Sequence, residues 1–344
     1  MSEDSYLRWL VSETPTRWWH DSGDPDELDR GLAHGASGVT TNPVLSAQTL
    51  RARPDTWRPQ VGTLPKDMKP GERAEKLMNA VVRSAALKLE PQYRASSGEQ
   101  GYVCAQVDPN RAGDRATMLA MAHRFHAWAP NIAVKLPVTA AGLDVLEECI
   151  AEGITVTATV SFTVPQVLAV GERHRLGAMR ARQAGIVPGH CFAVIMIGRL
   201  DDYLREVAWD NRVPVSESDI RKAGLAVTKQ AYEIYQARGY EAVLLVAALR
   251  GTHHMIELAG GNLIMSIHPR VQAMLQEPGV PRESRIDVPI ESEVVDRLRR
   301  MPEFRRSFEP DGMAPEEFVA FGVTQRTLSQ FIDAGWALLE ALHW

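Results

Sequence analysis

One lysine lies inside a stretch that otherwise resembles a buried β-strand. Lys135 is the only charged residue of "NIAVKLPVT", residues 131–139. The chain's other six lysines occupy polar or helix-like sequence, where we expect solvated ammonium groups: Lys66, Lys69, Lys76, Lys88, Lys222 and Lys229. A buried lysine favours its neutral form, and a neutral amine is a nucleophile toward carbonyl carbons. Lys135 is therefore a candidate for covalent catalysis. The alternative is that its aliphatic side chain extends from a strand end and places the ammonium group in water.

Further polar side chains occur late in, or just after, other short apolar runs. They are a carboxylate, two amides, a hydroxyl and two guanidinium groups: Asp21, Asn42, Gln106, Thr159, Arg199 and Arg250. Any one of them could be a helix cap, a strand-end hydrogen bond or a surface ion pair. Brought together around a lysine, they would supply a base, hydrogen-bond partners and a clamp for an anion. As a set, they favour a catalytic site.

Eight β-rich runs separated by helix-like segments must position these groups. The predicted strands are 16–21, 38–42, 102–107, 131–137, 155–162, 191–199, 242–248 and 263–268. Several are almost continuously apolar, as is typical of strands covered on both faces. Strands alternating with helices in this number predict an α/β fold of the (β/α)8 barrel class (a TIM barrel), in which functional groups project from the C-terminal strand ends. The alternative is a doubly wound open sheet, but no Gly-rich phosphate loop follows the first strand.

We expect residues 1–344 to form a single barrel domain. Residues 43–101 are predicted to be an enlarged, helical connection between the second and third strands. Residues 270–344 are predicted to be a helical tail with a turn-rich start, "QEPGVPRES". The tail is also a candidate surface for a homodimer.

Composition narrows the classes of function. A chain of 344 residues with 45% hydrophobic and 24% charged residues is typical of globular proteins. A formal net charge of -5 and a pI near 6.1 argue against nucleic-acid and membrane-surface partners. The three cysteines Cys104, Cys149 and Cys191 lack metal-ligand spacing, and neither a signal peptide nor a membrane-spanning stretch is visible. We therefore expect a cytoplasmic protein.

Several motifs resemble those of the transaldolase family, which includes the fructose-6-phosphate aldolases. "HDSGD" (20–24) is similar to the family's strand-1 aspartate motif and "GVTTNP" (38–43) to its threonine–asparagine signature. "VKLPVTAAGL" (134–143) is similar to the motif that carries the Schiff-base lysine. The resemblance continues through 103–108, 151–162, 197–202, 247–250 and 257–267 and covers roughly residues 16–270. Because the two best-matched motifs occur in the right order and spacing, it is specific.

The resemblance implies an imine mechanism with a ketose or ketose phosphate and no metal or organic cofactor. It implies that Lys135 attacks the ketose carbonyl, that Asp21 acts as the base, and that Gln106 and Thr159 complete the catalytic set. Thr159 would position the water that makes and breaks the carbinolamine. The residues implied at the substrate are Thr41, Asn42, Met196, Arg199 and Arg250.

Four positions depart from the family's pattern. Gln106 occupies the position where transaldolases have Glu and fructose-6-phosphate aldolases have Gln, and an amide orients water but cannot shuttle protons. Met196 replaces an aromatic residue and offers no phenol hydroxyl. Val194 and Ala248 replace serines of the phosphate pocket. These changes favour direct aldol or other imine chemistry over efficient dihydroxyacetone transfer, and they admit a carboxylate or sulfonate in place of phosphate.

Three functions remain open. The first is a Schiff-base transaldolase or aldolase acting on a sugar or sugar phosphate. The second uses the imine for another condensation, dehydration or cyclisation in specialised metabolism, and the third is a non-catalytic barrel that binds a metabolite.

The remaining histidines and Cys104 have separate interpretations. His253 and His254 either face the substrate or are solvated in a helix N-terminal turn, and the second is favoured. His20 and Cys104 are expected to be structural. The role of His268 is open.

Overall fold

The computed structural model describes residues 5–343, and within them eight parallel strands close into a barrel in chain order, with the last strand beside the first. The strands are β1 (Arg17–His20), β2 (Gly38–Val39), β3 (Tyr102–Gln106), β4 (Ile132–Pro137), β5 (Val156–Thr159), β6 (Cys191–Met196), β7 (Val243–Ala247) and β8 (Ile264–Ile267). The predicted (β/α)8 barrel is confirmed.

Helices follow the strands and cover the barrel. They are α1 (Tyr6–Glu13), α2 (Pro25–Ala33), α3 (Pro43–Ala52), α4 (Pro54–Val61), α5 (Pro70–Ala95), α6 (Arg115–His126), α7 (Ala140–Ala151), α8 (Val164–Gln183), α9 (Ile197–Asp210), α10 (Glu217–Ile220), α11 (Ala223–Arg238), α12 (Thr252–Leu258), α13 (Pro269–Met274), α14 (Ser292–Leu298), α15 (Pro302–Phe308), α16 (Gly322–Phe331) and α17 (Ala337–Glu340). Short 3-10 helices occupy Pro109–Arg111 and Pro315–Ala320, and a π-helical turn occupies Ile332–Trp336. The connection between β2 and β3 contains α3 to α5, and the chain after β8 is helical, as predicted.

All eight strands are shorter than their sequence patterns predicted, and β2, β5 and β6 are shorter by three or more residues. The ladder between β2 and β3 ends at Val39, because the Thr41 hydroxyl donates to the Cys104 carbonyl at 2.7 Å, an acceptor that a continued ladder would use. β6 ends at Met196, and α9 begins with the next residue. Arg199 was expected at a strand end and instead lies in the first turn of α9.

Aromatic side chains fill the N-terminal end of the barrel. Trp19 on β1 meets Phe192 on β6 with ring centroids 4.6 Å apart, and Tyr102 on β3 meets the same ring at 5.5 Å. Gly38 on β2 leaves room for this cluster, since a Cβ there would lie 2.5 Å from the Trp19 ring. Because this end is filled, the space for a ligand lies at the C-terminal strand ends.

The helical tail returns to that open end. The π-helical turn Ile332–Trp336 packs so closely on α3 that a Cβ at Gly335 would lie 2.7 Å from the Val44 nitrogen. This contact brings Phe331, the last residue of α16, to the mouth of the barrel. Within residues 5–343, no helix is both long and apolar enough to cross a membrane.

Candidate active site

A cavity of about 460 Å³ opens at the C-terminal ends of the strands. The wall formed by the strands and the residues just after them divides into two parts, which we name by their chemistry. The polar arc consists of Ser266, Asp21, Thr40, Asn42, Lys135 and Thr159. The apolar arc consists of Val194 and Met196 on β6 and Leu245 and Ala247 on β7. A larger cleft of about 1080 Å³ lies outside the barrel between α2 and α13, away from these strand ends.

Lys135 lies in the polar arc, near the end of β4. Its side chain is 6% exposed, and its Nζ donates to the Thr41 carbonyl oxygen at 3.2 Å. Alternation along the strand turns this side chain into the barrel, together with Ala133. The amine is therefore held at the cavity wall by one backbone acceptor.

Asp21 follows β1, and its carboxylate is fixed by the Thr40 hydroxyl, which in turn contacts the Ser266 hydroxyl on β8. Its Oδ1 accepts a hydrogen bond from Thr40 Oγ1 at 2.7 Å, and Thr40 Oγ1 lies 2.5 Å from Ser266 Oγ. The Asp21 amide donates to the Ile267 carbonyl at 3.2 Å. These contacts orient the carboxylate, as a positioned proton acceptor requires.

Two further polar side chains sit at the ends of β3 and β5. Thr159 lines the cavity, and its buried Oγ1 has no hydrogen-bond partner among the described residues. Gln106 lies beside Lys135 in the strand register but is only 2% exposed and does not line the cavity. Its Oε1 is likewise buried without a partner in residues 5–343. A buried hydroxyl left unpaired is costly, so Thr159 Oγ1 marks a place in the cavity where a ligand oxygen gains a hydrogen bond.

The threonine–asparagine segment after β2 has two different roles. Asn42 lines the cavity and caps α3, its Oδ1 accepting from the Leu45 amide at 2.9 Å. Its side-chain NH₂ group is the part left for a ligand. The Thr41 side chain is fully buried and bonded to the Cys104 carbonyl, so it does not reach the cavity. Thr41 acts on Lys135 through its carbonyl oxygen.

Arg199 and Arg250 both line the cavity, and both have protein partners. The Arg199 guanidinium lies 5.4 Å from the Phe331 ring centroid and donates to Gln330. Burial, together with the neighbouring Arg250, lowers the pKa of Arg199 to about 10. Arg250 forms an ion pair with Asp202 at 2.7 Å and donates to the Ala248 carbonyl at 2.9 Å. An anion at this rim would compete with these contacts.

The histidines take positions that the sequence did not indicate. His254 is fully buried, with its Nε2 3.0 Å from Asp201 Oδ2 and its Nδ1 accepting from the Arg250 amide at 3.3 Å. The prediction that this imidazole is solvated is wrong, because the buried ring bonds to the loop that follows β7. Burial lowers the pKa of His253 to about 4, and this ring lies against Arg221. His268 lines the cavity and caps α13.

The structural roles expected for His20 and Cys104 are confirmed. His20 is fully buried, and its Nδ1 lies 3.0 Å from Gln272 Nε2. Cys104 is also fully buried, with its sulfur 3.4 Å from Thr157 Oγ1, and burial raises the pKa of the thiol.

A second lysine is buried, contrary to the expectation from its helical sequence. Lys229 on α11 is 4% exposed and donates to the Arg285 carbonyl at 2.7 Å, with Glu257 3.7 Å away. Burial lowers the pKa of Lys229. It does not line the cavity, so burial alone does not single out Lys135.

Sequence reasoning missed several cavity residues. Thr40 and Ser266 precede Asn42 and His268 by two positions, so the period of a strand could have indicated them. Phe331 comes from the distant tail, and no local pattern predicts it. Among the described residues, no group of three or more His, Cys, Asp or Glu side chains could hold a metal ion.

The chain matches the family described as Transaldolase/Fructose-6-phosphate aldolase over residues 18–332. Transaldolase 1 of Streptomyces avermitilis is 33% identical over 248 residues, which are 69% of this chain and 62% of that protein. The transaldolase of Thermobifida fusca is 32% identical over 209 residues, 58% of this chain and 55% of that protein. The transaldolase of Neisseria meningitidis serogroup A is 28% identical over 215 residues, 61% of this chain and 59% of that protein. Each matched segment thus spans less than two thirds of the relative. The family match covers most of this chain's length, so the chain belongs to the transaldolase/fructose-6-phosphate aldolase family.

Proposed function

We propose that this protein is a transaldolase-like enzyme that makes or breaks a carbon–carbon bond of a ketose or ketose phosphate through an imine on Lys135. The observation that carries the proposal is the placement of the Lys135 amine in a cavity that also contains Asp21 and Thr159. The named relatives are transaldolases, which supports the same reaction class.

The reaction begins with addition of the Lys135 amine to the ketose carbonyl and loss of water, which gives an imine. Uptake of a proton from solvent by the imine nitrogen then gives the iminium ion. Asp21 then accepts the proton of the hydroxyl beside the bond to be broken. The carbon–carbon bond breaks, its electron pair moves toward the iminium nitrogen, and an aldehyde leaves. The enamine that remains attacks a second aldehyde in a transfer, or is protonated and hydrolysed in a cleavage.

The surroundings of each group suit its part in this sequence. The Thr41 carbonyl holds the amine at the wall, and the Thr40 hydroxyl, backed by the Ser266 hydroxyl, holds the carboxylate. The Asn42 amide would donate to a hydroxyl of the fragment attached to Lys135. Thr159, with Gln106 behind the wall, would hold the water that forms and hydrolyses the imine.

A second candidate keeps the imine and changes the later steps. Gln106 motivates it, because its amide cannot pass a proton between water and the carbinolamine as a carboxylate would. A slower exchange of water favours reactions in which the enamine persists, such as a condensation with another carbonyl compound.

Turnover of a panel of ketoses and ketose phosphates tests the proposal. Aldehyde release and transfer are measured for the native protein, for Lys135→Met and for Lys76→Met, which removes an exposed amine on α5. Lys135→Met should lower the rate by about 10⁴-fold or more, because it removes the nucleophile, and Lys76→Met should match the native protein. Lys135→Met turnover close to the native rate would contradict the mechanism, and circular dichroism checks that the variant is folded.

A further inference from the structure

The apolar arc gives the cavity a wall whose side chains offer no hydrogen bonds. Val194 is 2% exposed, Met196 6% and Leu245 0%, so these side chains are packed and have little freedom to move aside. Ala247 completes the arc at the end of β7. The arc lies beside Thr159, since β6 pairs with β5, and Lys135 is one strand further round the barrel. A substrate attached to Lys135 that extends toward β6 and β7 would pass from polar into apolar surroundings.

The rim above this arc continues the apolar surface. Ala248 and Leu249 follow β7, and Met274 and Phe331 reach the cavity from α13 and α16. Three arginines also line the cavity: Arg250 is paired with Asp202 at 2.7 Å, Arg199 lies against the Phe331 ring, and Arg270 reaches the cavity from α13. The rim therefore carries guanidinium groups as well as apolar side chains, and the wall that β6 and β7 form below it is apolar.

Such a wall discriminates between carbon chains with and without hydroxyl groups. A hydroxyl placed against it gives up hydrogen bonds with water and finds no replacement. A plain carbon chain gives up only the hydration of apolar surface, which is favourable. The polar arc has the opposite preference, so each half of the cavity suits a different half of the substrate.

We propose that the aldehyde partner of this enzyme carries a carbon chain without hydroxyl groups. This inference rests on the proposed imine function, with the hydroxylated fragment on Lys135 in the polar arc. In synthesis, Asp21 removes a proton from the iminium's neighbouring carbon to give the enamine, which forms a bond to the aldehyde carbon. The carbonyl electron pair moves to the aldehyde oxygen, which takes the proton back from Asp21. Water then hydrolyses the iminium and releases the hydroxyketone product and the free amine.

The test uses dihydroxyacetone as donor and two four-carbon aldehydes, butanal and D-erythrose, with rates expressed per concentration of free aldehyde. The native enzyme should show a kcat/KM for butanal about tenfold above that for D-erythrose, the order of discrimination that an apolar pocket achieves. Val194→Thr puts a hydroxyl in place of a methyl at nearly constant shape and should lower this ratio about threefold or more. Val194→Ala is the matched control, because it removes apolar atoms without adding a hydroxyl, and the ratio should stay above one.

A ratio at or below one in the native enzyme would overturn the inference, as would a Val194→Thr ratio equal to the native one. Borohydride trapping with dihydroxyacetone alone separates this failure from that of the proposed function. An adduct on Lys135 without a preference for butanal would support the imine mechanism and contradict only the inference about the aldehyde partner. The lack of an adduct on Lys135 would contradict both the imine mechanism and the inference about the aldehyde partner.

Discussion

The two arcs of the cavity differ in how their side chains are held. In the polar arc, hydrogen bonds fix the reactive groups: the Thr41 carbonyl holds Lys135, and Thr40 holds Asp21. In the apolar arc, close packing on β6 and β7 fixes side chains that carry no reactive group. Under the proposed function, the polar arc would serve catalysis and the apolar arc would serve substrate selection. Changes in the polar arc should alter the rate for every substrate, and changes in the apolar arc should alter the choice among substrates.

Asp21→Asn is the sharpest test of this separation within the polar arc. The amide keeps an oxygen for the Thr40 hydroxyl but cannot accept a proton, so kcat should fall by about 10² to 10⁴-fold, the usual contribution of a general base. The ratio of butanal to D-erythrose turnover should stay within twofold of the native ratio. Steady-state kinetics with both aldehydes measures both quantities. An Asp21→Asn rate above a tenth of the native rate would remove Asp21 from the mechanism.

His20 lies behind the polar arc, on the outer face of β1, and should affect stability but not selection. Burial is the main reason that the pKa of His20 is lowered to about 4, with the neighbouring His268 acting in the same direction. The imidazole is neutral in the folded protein, whereas in the unfolded chain it takes up a proton near pH 6.5. Its contribution to the free energy of unfolding is therefore fully present above about pH 6.5 and is lost as the pH falls toward 4. The loss amounts to about 3 kcal/mol.

Urea unfolding at pH 7, 5.5 and 4.5 measures this loss. His20→Asn keeps an acceptor for Gln272 and does not titrate in this range, so its free energy of unfolding should fall less with acid than that of the native protein. Equal acid sensitivity of the two proteins would show that His20 does not contribute. The aldehyde ratio of the variant at pH 7 should equal the native ratio, because the side chain does not line the cavity.

The alternation of eight apolar runs with helical segments favoured a barrel, and the lack of a Gly-rich loop after the first strand argued against the doubly wound open sheet. The C-terminal strand ends then indicated Asp21, Asn42, Lys135 and Thr159 as neighbours, and all four line one cavity. This success depends on local periodicity. It does not require knowledge of how the helices pack.

The predictions that were missed or wrong do not depend on local periodicity. Each depends on contacts between distant parts of the chain. Phe331 reaches the cavity because the tail packs on α3, and Lys229 is buried because the 285–288 loop covers it. The Thr41 side chain turns away from the cavity because the Cys104 carbonyl offers it a hydrogen bond. No pattern within a single segment carries this information.

The two buried lysines provide the most direct test of the account. Native protein is incubated with dihydroxyacetone and borohydride, and the lysine-containing peptides are analysed by mass spectrometry. We predict a reduced three-carbon adduct on the Lys135 peptide and none on the Lys229 peptide, because of the two only Lys135 lines the cavity. An adduct on both peptides, or on neither, would contradict the claim that the polar arc makes Lys135 the nucleophile of this barrel.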